Sequence, residues 1–261
     1  MKIEISITLG ALALAFASMA AYRMTPSGRG PDRDKTRRGG SFILGLWVRD
    51  WFYWVTAPVL RASLALRLSP VFYNVLGVLF GLASLAAFAS GRLAAGGAFV
   101  LASGLADALD GQVARARGIA SKAGAFLDST LDRFVEFATF VGLSLFYREG
   151  LPIAAVVIAL GGSMLVSYTR ARGESLGVLC KEGLMQRAER MLLLGLGGIL
   201  DATVSEALGR PLGTMLFWVI ALIAAGTVIT AISRTVWILR RLSESERRNR
   251  ISAMSSARSS S

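Results

Sequence analysis

An all-α, polytopic membrane fold is predicted from three observations. Hydrophobic residues make up 54% of the 261 positions and charged residues only 18%, with a mean hydropathy of +0.55. That balance excludes an ordinary soluble domain. The apolar residues fall in seven runs, near 3–22, 71–90, 94–114, 124–147, 152–169, 188–206 and 212–238. Each is close to the ~20 residues that a bilayer core requires. The net charge of +12 is also uneven: residues 23–49 hold seven Arg or Lys and two acids, and the tail from Arg240 holds six and two. By the positive-inside rule, the 23–49 segment, the turn with Arg115, Arg117 and Lys122, the 170–187 loop and the C-terminus are cytoplasmic. Alternating spans satisfy all four placements together.

Residues 1–24 form the first element, expected as an extra N-terminal transmembrane helix. The small-x-small pattern near Ser18-Met19-Ala20 also suits a cleaved signal peptide. Cleavage would leave the basic Arg23–Arg38 stretch outside, so an uncleaved helix with an outer N-terminus is preferred. Residues 25–44, rich in Gly, Pro and Arg, read as a flexible cytoplasmic linker able to rest on anionic headgroups. In 45–68, Trp47, Trp51, Phe52, Trp54, Leu60 and Leu64 mingle with Arg49, Asp50, Arg61 and Arg67. This texture suits an amphipathic helix lying in the interface. Leu68-Ser69-Pro70 turns the chain into six further spans, and 45–240 reads as one domain. Asp201 interrupts the 188–206 span and is assigned no role. Residues 241–261 are basic, Ser-rich and expected to be disordered. Cys180 is the single cysteine, so no disulfide forms within the chain.

Chemistry concentrates in Asp107-Ala-Leu-Asp110-Gly111-Gln-Val-Ala114-Arg115, followed after eight residues by Gly124-Ala-Phe-Leu-Asp128-Ser-Thr-Leu-Asp132. Ionisable groups at membrane depth are costly and mark functional sites. Asp107 and Asp110 are i, i+3, and Asp128 and Asp132 are i, i+4, so each pair shares a helix face. Two such faces make an all-oxygen cage suited to Mg²⁺ or Mn²⁺. There is no histidine, which excludes a His/Cys metal site. Gly111 and Ala114 keep the Asp107 face free of bulk, and Arg115 adds a guanidinium, so a large anionic ligand can approach. A small-residue packing face explains the glycines but leaves the four acids unexplained.

Asp-x2-Asp-Gly-x2-Ala-Arg-x8-Gly-x3-Asp-x3-Asp resembles the signature of the CDP-alcohol phosphatidyltransferases, with all eight fixed positions filled. The resemblance spans about Trp47 to Arg240. It implies a six-helix membrane core with a divalent-metal site that transfers a phosphatidyl group from CDP-diacylglycerol to an alcohol and releases CMP. The metal set would be Asp107, Asp110, Asp128 and Asp132, with Asp132 as the base. A carboxylate is the one suitable base in a chain without histidine. Asp107, Gly111, Ala114, Arg115 and Gly124 would meet the CDP-lipid. The family's similar Ser-Pro-x3-Asn stretch adds Asn74, although a locally satisfied helix-start residue accounts for Asn74 equally well.

A second group, Ser167-Tyr-Thr-Arg170-Ala-Arg172-Gly-Glu174 and Gln186-Arg187-Ala-Glu189-Arg190, follows at the same expected end of the bundle. With Arg133 after Asp132, it offers several guanidiniums for a phosphorylated acceptor; positive-inside flanking charge is the other explanation. The pattern looks most like the prokaryotic phosphatidylinositol-phosphate synthases, which implies inositol 1-phosphate as acceptor and Arg133, Arg170, Arg172, Arg187 and Arg190 as its ligands. Gly173 and Ala188 depart from that group's common residues. Glycerol 3-phosphate, serine or another polyol phosphate remain open acceptors. An ion-coupled transporter would instead need polar groups at mid-membrane. Membrane lipids and a homodimer are expected partners, and nucleic acid is not.

Overall fold

The chain's computed structural model describes residues 17–25, 45–180 and 183–259. Residues 1–16 of the first expected span and 26–44 of the expected linker lie outside the described residues. Within them, 17–24 are helical, followed by α1 (Gly45–Ala65), α2 (Pro70–Ala89), α3 (Leu93–Ala116), α4 (Lys122–Phe146), α5 (Gly150–Ser175), α6 (Arg187–Ala207) and α7 (Thr214–Ser259). The described residues contain no strand.

Local chemistry sets the helix ends. Ser69 caps α2 by accepting a hydrogen bond from the Phe72 N–H, and Pro70 occupies the first turn, where its missing N–H costs nothing. Gly118, at φ +68, closes α3, and the Ile119 N–H returns to the Ala114 carbonyl. Ser121 then caps α4 through the Gly124 N–H at 3.0 Å. Short turns make consecutive helices antiparallel. The starts of α2, α4 and α6 and the ends of α3 and α5 therefore share one end of the bundle.

Within the bundle, α2 packs on α3 and α4, α6 packs on α3 and α7, and α5 packs on α7. The bundle has an apolar interior, as a soluble protein has, but its outer surface is apolar too. Val71, Val75, Leu79 and Leu82 of α2 and Trp218, Leu222, Ile229 and Ile232 of α7 face outward, while Glu136, Glu189, Arg190, Asp201, Thr139 and Thr227 are buried. Such an apolar outer surface is built for lipid. Among the described residues, four helices are long and apolar enough to cross a membrane: α2, α3, α5 and the Thr214–Arg247 part of α7. The α4 and α6 runs, read as spans from sequence, fall short on composition because each carries several charged residues along its length, Asp132, Arg133 and Glu136 in α4 and Arg190, Asp201 and Glu206 in α6.

Helix α1 contains Pro58 and leans on the bundle through Leu60, which packs with Tyr73, Leu109 and Val113. Ser63 and Tyr73 hydrogen-bond to each other. At its other end Tyr22 is buried between Trp47 and Trp54, and the Trp51 indole N–H reaches Ser18 at 3.2 Å. Residues 17–24 therefore dock on α1.

Two expectations change. The tail from 241, expected to be disordered, continues α7 as helix to Ser259. It lacks Gly and Pro, and Arg241 pairs with Glu244 one turn on. Asp201 acquires a role: its carboxylate accepts the Gly213 N–H at 2.6 Å and the Leu216 N–H at 2.8 Å, satisfying free donors where α7 begins. We expect Asp201→Ala to cost about 3 kcal/mol, since each bond to a buried charge contributes about 1.5–3 kcal/mol. An unchanged thermal midpoint of the solubilised variant would rule this capping role out.

Candidate active site and metal centre

The site's geometry begins with glycine packing between α3 and α6. A Cβ on Gly97 would lie 2.4 Å from the Gly195 carbonyl oxygen, so the two backbones touch and the register is fixed. Asp107 lies ten residues beyond Gly97, about 15 Å along α3. Arg187 lies eight residues before Gly195, about 12 Å back along the antiparallel α6. The two side chains meet: Arg187 Nη1 is 2.9 Å from Asp107 Oδ2. Opposite them, the first turns of α4 bring in Asp128 and Asp132, and Arg187 Nη2 is 2.6 Å from Asp132 Oδ1.

Asp107, Asp110 and Asp128 form one cluster, with an oxygen of each within 4.8 Å of the others. Asp132, expected as a fourth ligand, stands beside this trio in the grip of Arg187, with Arg133 Nη1 a further 3.6 Å away. The cleft over these groups is walled by Tyr73, Asn74, Gly77 and Val78 of α2, Ser103 and Asp107 of α3, Asp128, Leu131, Asp132 and Val135 of α4, and Arg187 of α6. Asn74 thus shares the cleft with the acids. Gly111 lies one turn before Arg115, whose guanidinium folds back to within 3.0 Å of where a Gly111 Cβ would be. Ala114 is half-buried, and Gly124 is exposed in the capped first turn of α4. All four motif acids lie at one end of the bundle, unlike the mid-membrane groups of the transporter alternative.

The donor set fits a hard divalent cation. It is all oxygen, and Asp110, 4% exposed, has one carboxylate oxygen (Oδ2) that is buried without any hydrogen-bond partner. A buried, unsatisfied carboxylate oxygen is costly unless a cation meets it.

The arginines separate into distinct environments. Arg187 lies in the cleft. Arg133 borders it, half-exposed, and donates to the Ser129 carbonyl. Arg172 is exposed in the last turn of α5, at the same end of the bundle, and Arg170 pairs with Glu174 at 3.0 Å. Arg190, expected among the acceptor ligands, is instead fully buried. Its Nε and Nη2 bind the two carboxylate oxygens of Glu136 at 2.6 and 3.1 Å, and Nη1 donates to the Met185 carbonyl. Burial next to α4 leaves it no face toward a soluble substrate.

Glu136 is the residue that motif reading missed. It follows Asp128 and Asp132 at the same four-residue spacing, so the acidic stripe on α4 extended one turn further than the motif. Tyr73 and Ser103 also line the cleft without any motif to mark them. Ser103 donates to the Gly77 carbonyl at 2.9 Å and so ties α3 to α2 at its wall.

Comparison with known proteins bears on the same region. Residues 67–225 match the family model described as CDP-alcohol phosphatidyltransferase, a narrower stretch than Trp47–Arg240. The archaetidylinositol phosphate synthase of Methanothermobacter thermautotrophicus is 37% identical over 171 residues, covering 66% of this chain and 83% of that one. The crystal structure of Mycobacterium tuberculosis phosphatidylinositol phosphate synthase with CDP-DAG bound superposes with a TM-score of 0.61 at 32% identity, covering 70% of this chain and 93% of that one. The same enzyme in complex with manganese and citrate gives 0.62 at 32% identity, covering 70% and 88%. The matched stretch contains every fixed motif position, and the fold gathers their acids around one cleft: the chain is an integral membrane enzyme of the CDP-alcohol phosphatidyltransferase family.

Proposed function

We propose that this enzyme transfers the phosphatidyl group of CDP-diacylglycerol to inositol 1-phosphate and releases CMP, at the cytoplasmic face of the cell membrane. One observation carries the reading: three carboxylates lie within 4.8 Å of one another, and two of them, Asp107 and Asp128, open onto the cleft that also holds Asn74, Asp132 and Arg187. The relatives support the acceptor, since their names share inositol phosphate and differ in the lipid prefix. Sidedness follows from the charge, because the acids lie at the helix ends flanked by Arg115, Arg117 and Lys122.

Asp107, Asp110 and Asp128 would hold Mg²⁺ or Mn²⁺, which when bound supplies charge neutralisation for the pyrophosphate. Arg115, folded over Gly111, and the small Ala114 receive the CDP moiety beside Asn74 and Gly124. Asp132 accepts the proton of the acceptor hydroxyl. The hydroxyl oxygen forms a bond to the phosphorus that bears diacylglycerol, and the bond from that phosphorus to the CMP oxygen breaks. The chain has no His, and Ser103, the one Ser lining the cleft among the described residues, gives its hydroxyl proton to the Gly77 carbonyl, so we favour direct displacement. Arg133, Arg172 and Arg187 take the acceptor phosphate, with Arg170 held by Glu174. Residues 1–24 would add a membrane anchor, with 45–68 lying in the interface. The outer apolar faces would meet lipid or a second copy, which light scattering of the solubilised protein separates.

The test is CMP release from CDP-diacylglycerol with a panel of acceptors. Inositol 1-phosphate should be used and free inositol rejected, because guanidiniums built around a phosphate are left unpaired without one. Arg133→Ala and Arg172→Ala should each raise the acceptor KM roughly ten- to hundredfold and leave that for the CDP-lipid nearly unchanged. Equal use of free inositol, or unchanged acceptor KM values, would sink the acceptor assignment. Full activity in chelator would sink the metal assignment separately.

A further inference from the structure

Arg187 does more in this geometry than wait for a substrate. Its guanidinium bridges two carboxylates from different helices, Asp107 on α3 at 2.9 Å and Asp132 on α4 at 2.6 Å. Among the described residues it is the one cation joined to two of the motif acids, since Arg133 reaches Asp132 alone and Arg190 is committed to Glu136. Its Nε–H is buried and donates to nothing, so this bridge leaves the guanidinium incompletely satisfied. The α6 backbone cannot carry it away, since Gly195 and Gly198 are pressed against Gly97. Any release must come from the side chain alone.

We infer that Arg187 is the internal counter-ion of the acid cluster, competing with the divalent cation for it and restraining Asp132 until that cation binds. This rests on the metal centre proposed above and goes beyond it. Four carboxylates crowded on two helix faces repel one another, and the guanidinium relieves that repulsion by spanning Asp107 and Asp132. A divalent cation at Asp107, Asp110 and Asp128 relieves the same repulsion and is itself repelled by a guanidinium hydrogen-bonded to Asp107. As the cation binds, Arg187 loosens, Asp132 loses its strongest partner, and its oxygen becomes open to a substrate hydroxyl. The freed guanidinium, with its spare Nε–H, then faces the cleft as an oxyanion site. Metal binding and exposure of the proton acceptor become one event.

This makes an unusual forecast, that removing a charged residue from the site tightens metal binding. Mn²⁺ affinity of the purified full chain can be measured by titration calorimetry or by the EPR signal of free Mn²⁺. Arg187→Met should bind Mn²⁺ at least about tenfold tighter than the parent, the scale of one screened charge–charge repulsion. Arg187→Lys, which keeps the charge but reaches a single carboxylate, should shift the same way by less. Arg187→Met should also melt earlier in chelator and gain more in melting temperature from Mn²⁺ than the parent does. Unchanged or weaker Mn²⁺ binding in these variants would overturn the inference, since a purely supporting arginine predicts that result. Should Arg187→Met fail to fold, Arg187→Lys alone decides: tighter supports the inference, equal or weaker overturns it. A parent chain that binds no Mn²⁺ would instead overturn the metal centre itself, which keeps the two failures apart.

Discussion

Replacing Asp132 by Asn is expected to lower kcat by roughly 10²–10⁴, the scale of lost general-base assistance, while Mn²⁺ still binds within a few-fold of the parent. Geometry separates Asp132 from the other acids. Asp107, Asp110 and Asp128 share one cluster, whereas Asp132 is turned toward Arg187 at 2.6 Å and Arg133 at 3.6 Å. An amide fits the same space and keeps one oxygen for Arg187, but it cannot take a proton from an acceptor hydroxyl. Asp128→Asn should behave differently, losing metal affinity together with turnover. Calorimetric titration of both variants beside CMP-release assays makes the distinction. Loss of Mn²⁺ binding in Asp132→Asn would make this residue chiefly a ligand and leave the base unassigned.

Much of the positioning was legible in the chain because it depends on local spacing. The i, i+3 and i, i+4 intervals of the aspartates translate directly into shared helix faces, and six of the seven apolar runs became helices that start within two residues of their expected bounds, although α7 runs on to Ser259. Ser69-Pro70 marked the start of α2 through capping chemistry, which is also local. What stayed hidden depends on partners far apart in sequence. Nothing near Arg190 announces that Glu136, 54 positions earlier, will take both of its forks. Arg187 and Arg190 look alike in the sequence, yet one faces the cleft and the other is sealed, because Arg190 lies almost a full turn deeper along the same face of α6. Asp201 looked like a flaw in a span until the start of α7 folded back onto it. The glycine contact that sets the α3–α6 register is likewise invisible, since Gly97 and Gly195 read as ordinary small residues in apolar runs.

The buried pair yields the other large effect. Glu136 and Arg190 are both 0% exposed and joined by two hydrogen bonds, with a third from Arg190 to the Met185 carbonyl. Removing one member leaves an uncompensated buried charge, which typically costs about 3–5 kcal/mol. Glu136→Ala and Arg190→Ala should therefore each shift the folding equilibrium by roughly 10²–10⁴ and greatly lower the yield of folded, solubilised protein. Replacing both together, as Glu136→Leu with Arg190→Met, removes the charges in a pair and fills similar volume. Such a swap is often neutral or stabilising, so the double variant should regain most of the lost melting temperature. It also separates structure from substrate binding. If Arg190 serves the fold alone, the double variant keeps the parent's acceptor KM. If Arg190 reaches the acceptor phosphate, that variant folds but its acceptor KM rises at least about tenfold, as for loss of one charge-assisted contact. Since the guanidinium is enclosed by Glu136 and Met185, with no opening toward the cleft, an unchanged acceptor KM is the expected result.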